Sequence, residues 1–300
     1  MKKPKRVISA ILCTAMAASL LALTGCAQKS DTAAASSAVA GSAAASSAAS
    51  EKKVLKVGME CAFAPYNWTQ ADSSNGAIQI SNSSGEYANG YDVMMAKKIA
   101  DAIGYDLAIV KTEWDGLAPG VSSGKLSVAI AGMSITKERL ATVDFTDVYY
   151  KASIFALVRA DSKYASAKSI ADLKGATCTS QQNTVWYNML SQIPDAKIQP
   201  AMKNVPALIV ALNSGKTEVF VTDKPTAMGA SFANKNLVAL DFTASGNDFK
   251  ASDEDVNLGI AVSKSSPELK DAINKALSGI SSADRDKIMQ DAIAKQPLAQ

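Results

Sequence analysis

The chain has no histidine among its 300 residues. That excludes Ser-His-Asp and Cys-His catalysis and any histidine-ligated metal site. Cysteine is scarce: Cys13, Cys26, Cys61 and Cys178 are the four, and no two form a CxxC pair. Cys13 falls in the N-terminal segment, so Cys61 and Cys178 allow at most one disulfide in a mature chain. Both are expected to be free. A strong charge of either sign is missing too, with 31 basic and 28 acidic residues giving +3. Even that excess is local. Lys2, Lys3, Lys5 and Arg6 stand in the first 26 residues, which hold no acid, and +3 less these 4 leaves −1. Nucleic acid is therefore not expected as a partner. No metal or cofactor motif occurs, and neither group is expected.

What is present begins with a leader. Four positive charges precede an uncharged apolar run of 17 residues, Val7 to Leu23. This is the layout of a secretory signal peptide, and the run is at the short limit for a membrane span. It ends in Leu23-Thr24-Gly25-Cys26, which resembles a bacterial lipoprotein cleavage box: an aliphatic residue, two small ones, then the cysteine to be acylated. Residues 1–26 are read as that signal peptide, with Cys26 as the lipidated (palmitate-bearing) N-terminus, anchoring the chain to the outer face of the cell membrane. Thr32 to Ser50 contains only Ala, Ser, Thr, Val and Gly. Such a stretch cannot bury enough apolar surface to offset the ordering of its backbone, so residues 27–52 are read as a tether.

Hydrophobic residues make up 48% of the chain, enough for a substantial core. After the tether, strand-like and helix-like segments alternate. Val54 to Met59, Leu107 to Val110 and Leu126 to Ala131 read as strands, with a helix over Tyr91 to Ile103 closed by Gly104. Trp114 to Leu117 reads as a short helical stretch broken by Pro119-Gly120. Cys61 to Trp68 reads as a loop, because Pro65 stops any helix. Ser153 to Val158, Ala176 to Ser180 and Glu218 to Val221 repeat the strand pattern, with helices at Val185 to Leu190 and Val205 to Leu212 and from Lys224. Leu258 to Val262 is a last strand, and two amphipathic helices close the chain. Alternation of this kind implies an α/β architecture with mostly parallel sheets. It occurs twice, with polar loops at the carboxyl ends of strands, where open sheets bind ligands.

The stretch richest in chemistry is Ala131 to Arg139. An apolar strand ends in Gly132, Ser134 and Thr136 offer hydroxyls where a helix should start, and Arg139 sits in its first turn. A cation is unfavourable there unless an anion comes between it and the helix dipole. A carboxylate fits. A solvated Arg139 behind an ordinary Thr136 cap is the plain alternative.

Ordered motifs run along the chain. Val57-Gly58-Met59-Glu60, Phe63-Ala64-Pro65-Tyr66, Gly90-Tyr91-Asp92-Val93, Trp114-Asp115-Gly116-Leu117 and Ser123-Gly124-Lys125-Leu126 come first. Ser134 to Arg139, Asp144-Phe145-Thr146-Asp147, Tyr149-Tyr150, Leu173-Lys174-Gly175, Asp223-Lys224-Pro225 and Leu258 to Lys264 follow. Together they resemble the polar amino-acid-binding lipoproteins of ABC importers. The resemblance implies the two-lobed class II periplasmic-binding-protein fold, each lobe a mostly parallel sheet flanked by helices, with a two-crossover hinge. Residues 53–151 plus 256–300 would form lobe 1 and residues 152–255 lobe 2, with crossovers near Lys151 and between Asp248 and Asp255.

It further implies hinge closure around one free L-amino acid and delivery to a membrane permease, as a monomer and without catalysis. Carried over by position, Arg139 would pair with the ligand carboxylate, helped by Thr184, and Gly132 and Ser134 would hydrogen-bond its head group. Asp223 would take the ammonium. Phe63 and Trp114 would sandwich the side chain and Glu60 would sit near its polar end, favouring arginine, lysine or histidine, with glutamine next. The residues alone also permit plainer readings: Asp223 as a helix N-cap, Phe63 and Trp114 as core, Glu60 as solvated. Asn183 stands where the family usually has glycine, Val185 where it has a small polar residue, and Glu218 where it has aspartate. Two other functions fit the same fold: a dehydratase acting on an amino-acid-like acid, and a ligand-sensing subunit. With no span or signalling segment after Gln300, the latter is expected to work through another chain.

Overall fold

A computed structural model describes residues 52–297. The expected signal peptide, the lipidated Cys26 and nearly all of the tether lie outside the described residues. Two five-stranded sheets form the framework. The first runs in the order Asp106–Lys111, Val54–Met59, Val128–Ala129, Ala261–Val262, Asp144–Phe145. The second runs Lys197–Ile198, Thr177–Thr179, Val219–Asp223, Ile154–Arg159, Leu237–Leu240. In each, the fourth strand is antiparallel to the strand on either side of it. The strands on the other side pair in parallel.

Burial follows from this layering. Val219–Asp223 is buried at all five positions, a central strand packed by the helices Val185–Met189, Val205–Asn213 and Lys224–Ala233. The helix Tyr91–Ile103 turns Val93, Met95, Ala96 and Ile99 inward and ends at Gly104, whose left-handed φ of 73° closes it as a glycine C-cap does. The apolar residues from Leu126 to Ala131 are buried as expected, yet only Val128–Ala129 pairs as a strand. The chain then turns at Gly132, whose φ is +60°.

Two segments join the sheets. Tyr150–Lys151 pairs antiparallel with Asn257–Leu258, and the Ala152 amide donates to the Val256 carbonyl at 2.8 Å. The return from the second sheet runs from Leu240 to Asn257–Leu258 and so passes through the expected 248–255. That interval holds a short helix, Asp253–Val256, with a Ser252/Asp255 capping box.

Two sequence expectations are corrected. Pro119-Gly120 does not break a helix. Leu117–Ser122 runs through it, because Pro119 is the third helical residue, where a missing N–H costs no intrahelical bond. Cys61 to Trp68 is not a loop but a hairpin: Ala62–Phe63 pairs with Asn67–Gln70 across a turn with a cis Ala64–Pro65 bond. Pro65 stops a helix at that point, but a turn between short strands satisfies it equally well.

Candidate functional site

The site is assembled at the carboxyl ends of the strands. Glu60 follows Val54–Met59, Gly132 to Ser134 follow Val128–Ala129, Gln181 to Thr184 follow Thr177–Thr179, and Asp223 ends Val219–Asp223.

Its cationic pole is Arg139. Thr136 caps the short helix Lys137–Leu140, its hydroxyl accepting from the Arg139 amide at 3.3 Å. The guanidinium donates through Nη1 to the Ser134 carbonyl at 2.8 Å and through Nη2 to the Asn183 carbonyl at 2.9 Å. It lies 5.2 Å from the centre of the Trp114 ring, and Trp114 Nε1 donates to the same Asn183 carbonyl at 3.2 Å. Burial draws the Arg139 pKa down to about 10, so it remains a cation at neutral pH. Its partners are neutral carbonyls, and it belongs to none of the ion pairs among the described residues. Arg139, Thr136, Asn183, Thr184 and Asp255 line a cavity of about 570 Å³. The Thr184 hydroxyl donates back to the Gln181 carbonyl at 2.8 Å and makes no cap bond to its helix.

The anionic pole is Asp223, 1% exposed. It does cap the helix Lys224–Ala233, accepting from the Thr226 amide and hydroxyl, each at 3.0 Å. Burial pushes its carboxyl up to about 6. No cationic side chain neutralises it among the described ion pairs. The buried Tyr66 hydroxyl has no hydrogen-bond partner, and Asp223 is foremost among the charges acting on it. Asp223 does not line the cavity that holds Arg139.

The remaining expected residues fall as follows. Gly132 has φ +60° and a Cβ there would come within 2.7 Å of the Phe63 ring, so only glycine fits. Its amide is not free for a ligand, since it donates to the Tyr149 hydroxyl at 2.8 Å. The Ser134 hydroxyl likewise donates to the Asp255 carbonyl at 2.9 Å. Phe63 stacks on Tyr66 with centroids 4.9 Å apart and planes 7° apart, while Trp114 covers Arg139. Glu60 is buried rather than solvated. Gln181 Nε2 reaches its two oxygens at 3.1 and 3.2 Å, and burial, reinforced by Glu113 and Asp115, raises its carboxyl to about 7. Asn183 adopts φ +54°, the left-handed conformation that makes glycine usual and that asparagine tolerates.

Sequence reasoning missed Gln181, Tyr149 and Asp115 as parts of this region. Asp115 accepts from Gln182 at 2.6 Å and Asn183 at 2.8 Å. Tyr149 and Asp115 were visible only as members of motifs, since nothing local says which distant amide or amide side chain they meet. Cys61 and Cys178 are both free and buried. No group of three or more metal-binding side chains occurs among the described residues.

Residues 55–293 match the bacterial extracellular solute-binding proteins, family 3. The chain belongs to this family. A probable histidine-binding protein of Campylobacter jejuni is 31% identical over 185 residues, 62% of this chain and 66% of that protein. The ABC transporter glutamine-binding protein GlnH of Bacillus subtilis is 31% identical over 220 residues, 72% and 76% of the two chains. The crystal structure of an amino acid ABC transporter substrate-binding protein from Streptococcus pneumoniae, bound to L-arginine, superposes with a TM-score of 0.69. It is 25% identical and covers 80% of this chain and 94% of its own. The architecture is accordingly the two-lobed class II periplasmic-binding-protein fold, the two sheets being the lobes.

Proposed function

We propose that this protein binds one free polar or cationic L-amino acid outside the cytoplasm and delivers it to an ABC importer in the membrane. The observation that carries the reading is a pair of unneutralised charges. Arg139 is partly buried with only carbonyl partners, and Asp223 is buried with only hydroxyl and amide partners. A buried carboxylate without a counter-charge is costly, as is a desolvated cation. A zwitterion supplies both missing partners once the two poles, which do not line one cavity in the ligand-free structure, are brought to face a shared space around it.

In this reading Arg139 takes the carboxylate, displacing the Asn183 carbonyl, with Thr184 beside it, and Asp223 takes the ammonium. Gly132 offers close backbone approach and a carbonyl, and Ser134 a backbone contact. Phe63 and Trp114 flank the side chain, and Glu60 meets its polar end. Relatives named for histidine and glutamine, and a structural neighbour holding L-arginine, support a polar side chain. Glu60, with Glu113 and Asp115 near it, favours arginine, lysine or histidine over glutamine. Residues 53–151 plus 256–300 and residues 152–255 are the two rigid halves. Ligand contact with both shifts the hinge toward the closed form, which the permease recognises. The protein works as a monomer, held at the membrane through lipid on Cys26 after removal of the signal peptide. It binds its amino acid without turning it over.

A thermal-shift screen of the twenty amino acids tests this. A binder at a hundred times its dissociation constant adds about 2.7 kcal/mol of stability. No shift with any of them would overturn the reading, and slow consumption of the ligand on long incubation would favour a dehydratase.

A further inference from the structure

One motif has no role in the binding reading above: Gly90-Tyr91-Asp92-Val93. Asp92 is fully buried, in the first turn of the helix Tyr91–Ile103. That helix starts directly beneath the hairpin. Gly90 has φ +127°, and a Cβ there would lie 2.3 Å from the Tyr66 carbonyl oxygen, so a side chain would push the two apart.

Both carboxylate oxygens of Asp92 are used, and in different directions. Oδ1 accepts from the Tyr149 hydroxyl at 2.8 Å, and that hydroxyl accepts from the Gly132 amide at 2.8 Å. Oδ2 accepts from Asn67 Nδ2 at 2.8 Å, and Asn67 Oδ1 accepts from the Cys61 amide at 2.7 Å. The two arms are alike. Each ends on the amide of a residue in the left-handed conformation, Gly132 at φ +60° and Cys61 at φ +55°. For Cys61 that backbone is strained. Each of these residues closes a turn at the end of a first-lobe strand, one leading to Ser134 and Arg139, the other fixing where Glu60 points.

We infer that Asp92 is a positioning residue for both ligand-facing turns of the first lobe, acting through Tyr149 on Gly132 and through Asn67 on Cys61. This rests on the reading that those turns meet the ligand. The polarity of the network favours an acceptor at its centre. Asn67 spends its carbonyl on Cys61 and can only donate through its amino group, and Tyr149, which accepts from the Gly132 amide, has its proton to give. A carboxylate accepts both. Burial pushes its carboxyl up to about 7, and the bonds from Tyr149 and Asn67, with its place in a helix first turn, work against that in favour of the anion. An asparagine in its place would turn an NH₂ group toward one of two donors and break that arm.

Hydrogen exchange in the ligand-free protein tests the relay independently of what the ligand is. In Asp92→Asn, exchange of the Gly132 or the Cys61 amide, or of both, should quicken roughly tenfold or more, while amides in Val219–Asp223 keep their wild-type rates. In Tyr149→Phe the Gly132 amide alone should quicken. In Asn67→Ala the Cys61 amide alone should. Tyr149→Phe and Asn67→Ala carry the test if Asp92→Asn does not fold. Binding of L-arginine, L-histidine and L-glutamine is measured alongside, with a loss of roughly tenfold expected in Asp92→Asn for those that bind wild type.

Unchanged rates at both amides, or quickening spread evenly over both lobes, would overturn the inference whatever binds. The arm-specific pattern supports it. If that pattern appeared in a protein that bound no amino acid, the relay would stand and the proposed function would fall.

Discussion

Glu60 ends a first-lobe strand and is 7% exposed, facing Gln181 of the other lobe. Burial raises its carboxyl from 4.5 to about 7, so the ligand-free fold disfavours its ionised form. The stability this group contributes is fully present below about pH 4.5 and is lost as pH rises through about 7. A cationic ligand side chain reverses the balance by stabilising the carboxylate. Affinity for L-arginine or L-lysine should therefore rise from pH 5 to pH 8, and Glu60→Gln should flatten the upper part of that rise. Asp223, raised to about 6, acts in the same direction for any amino acid, but its contribution ends sooner. L-glutamine binding should level off above about pH 6, and calorimetry across the range reads both curves. The poles themselves give the largest effects. Arg139→Ala or Asp223→Asn leaves one charge of the bound zwitterion buried and unpaired, at a cost of about 2–5 kcal/mol. That corresponds to roughly a 30- to 4,000-fold weaker dissociation constant.

Among the elements, the segment Gln181 to Thr184 is the one whose backbone decides most. Asn183 holds φ +54° and presents its carbonyl to both Arg139 and Trp114. Asn183→Gly keeps that conformation available. Asn183→Ala should lose about 1 kcal/mol, because a Cβ disfavours the left-handed region without the side-chain amide that helps asparagine tolerate it. Urea midpoints of the two variants read the difference, and equal midpoints would mean the turn relaxes at no cost. The same residue shows how far the chain can be read unaided. A departure from glycine was visible, but the reason is a torsion angle. Periodicity located the long helices and the central strands, because each buries a face that repeats locally. It did not find Lys197–Ile198, Leu237–Leu240 or the strands of the hairpin, which are short or defined by partners far along the chain. Helix-start signals singled out Arg139 and an N-cap at Asp223, and the cap is there, while the ligand roles of both came from the resemblance. It could not find that the Gly132 amide is taken by Tyr149, since that bond spans 17 positions.

At the scale of the molecule, the two lobes already touch without a ligand. Glu60 meets Gln181, Asp115 meets Gln182 and Asn183, Arg139 and Trp114 share the Asn183 carbonyl, and Lys203 lies 3.1 Å from Glu113. The Lys203–Glu113 pair is exposed and contributes little. The Asp115 contacts are also exposed, but they bind the tip of the second-lobe loop by two bonds from one carboxylate. They therefore bias a closed arrangement that the ligand completes. When only the closed fraction binds well, apparent affinity scales with that fraction. Removing the Asp115 carboxylate should open the ligand-free protein and weaken amino-acid binding by about 5-fold, the equivalent of two modest exposed bonds. Small-angle scattering of Asp115→Ala should show a larger radius of gyration than wild type without ligand and the same radius at saturation. Equal radii in the ligand-free state, with equal affinity, would mean that these bonds do not hold the lobes together and that closure depends on the ligand alone.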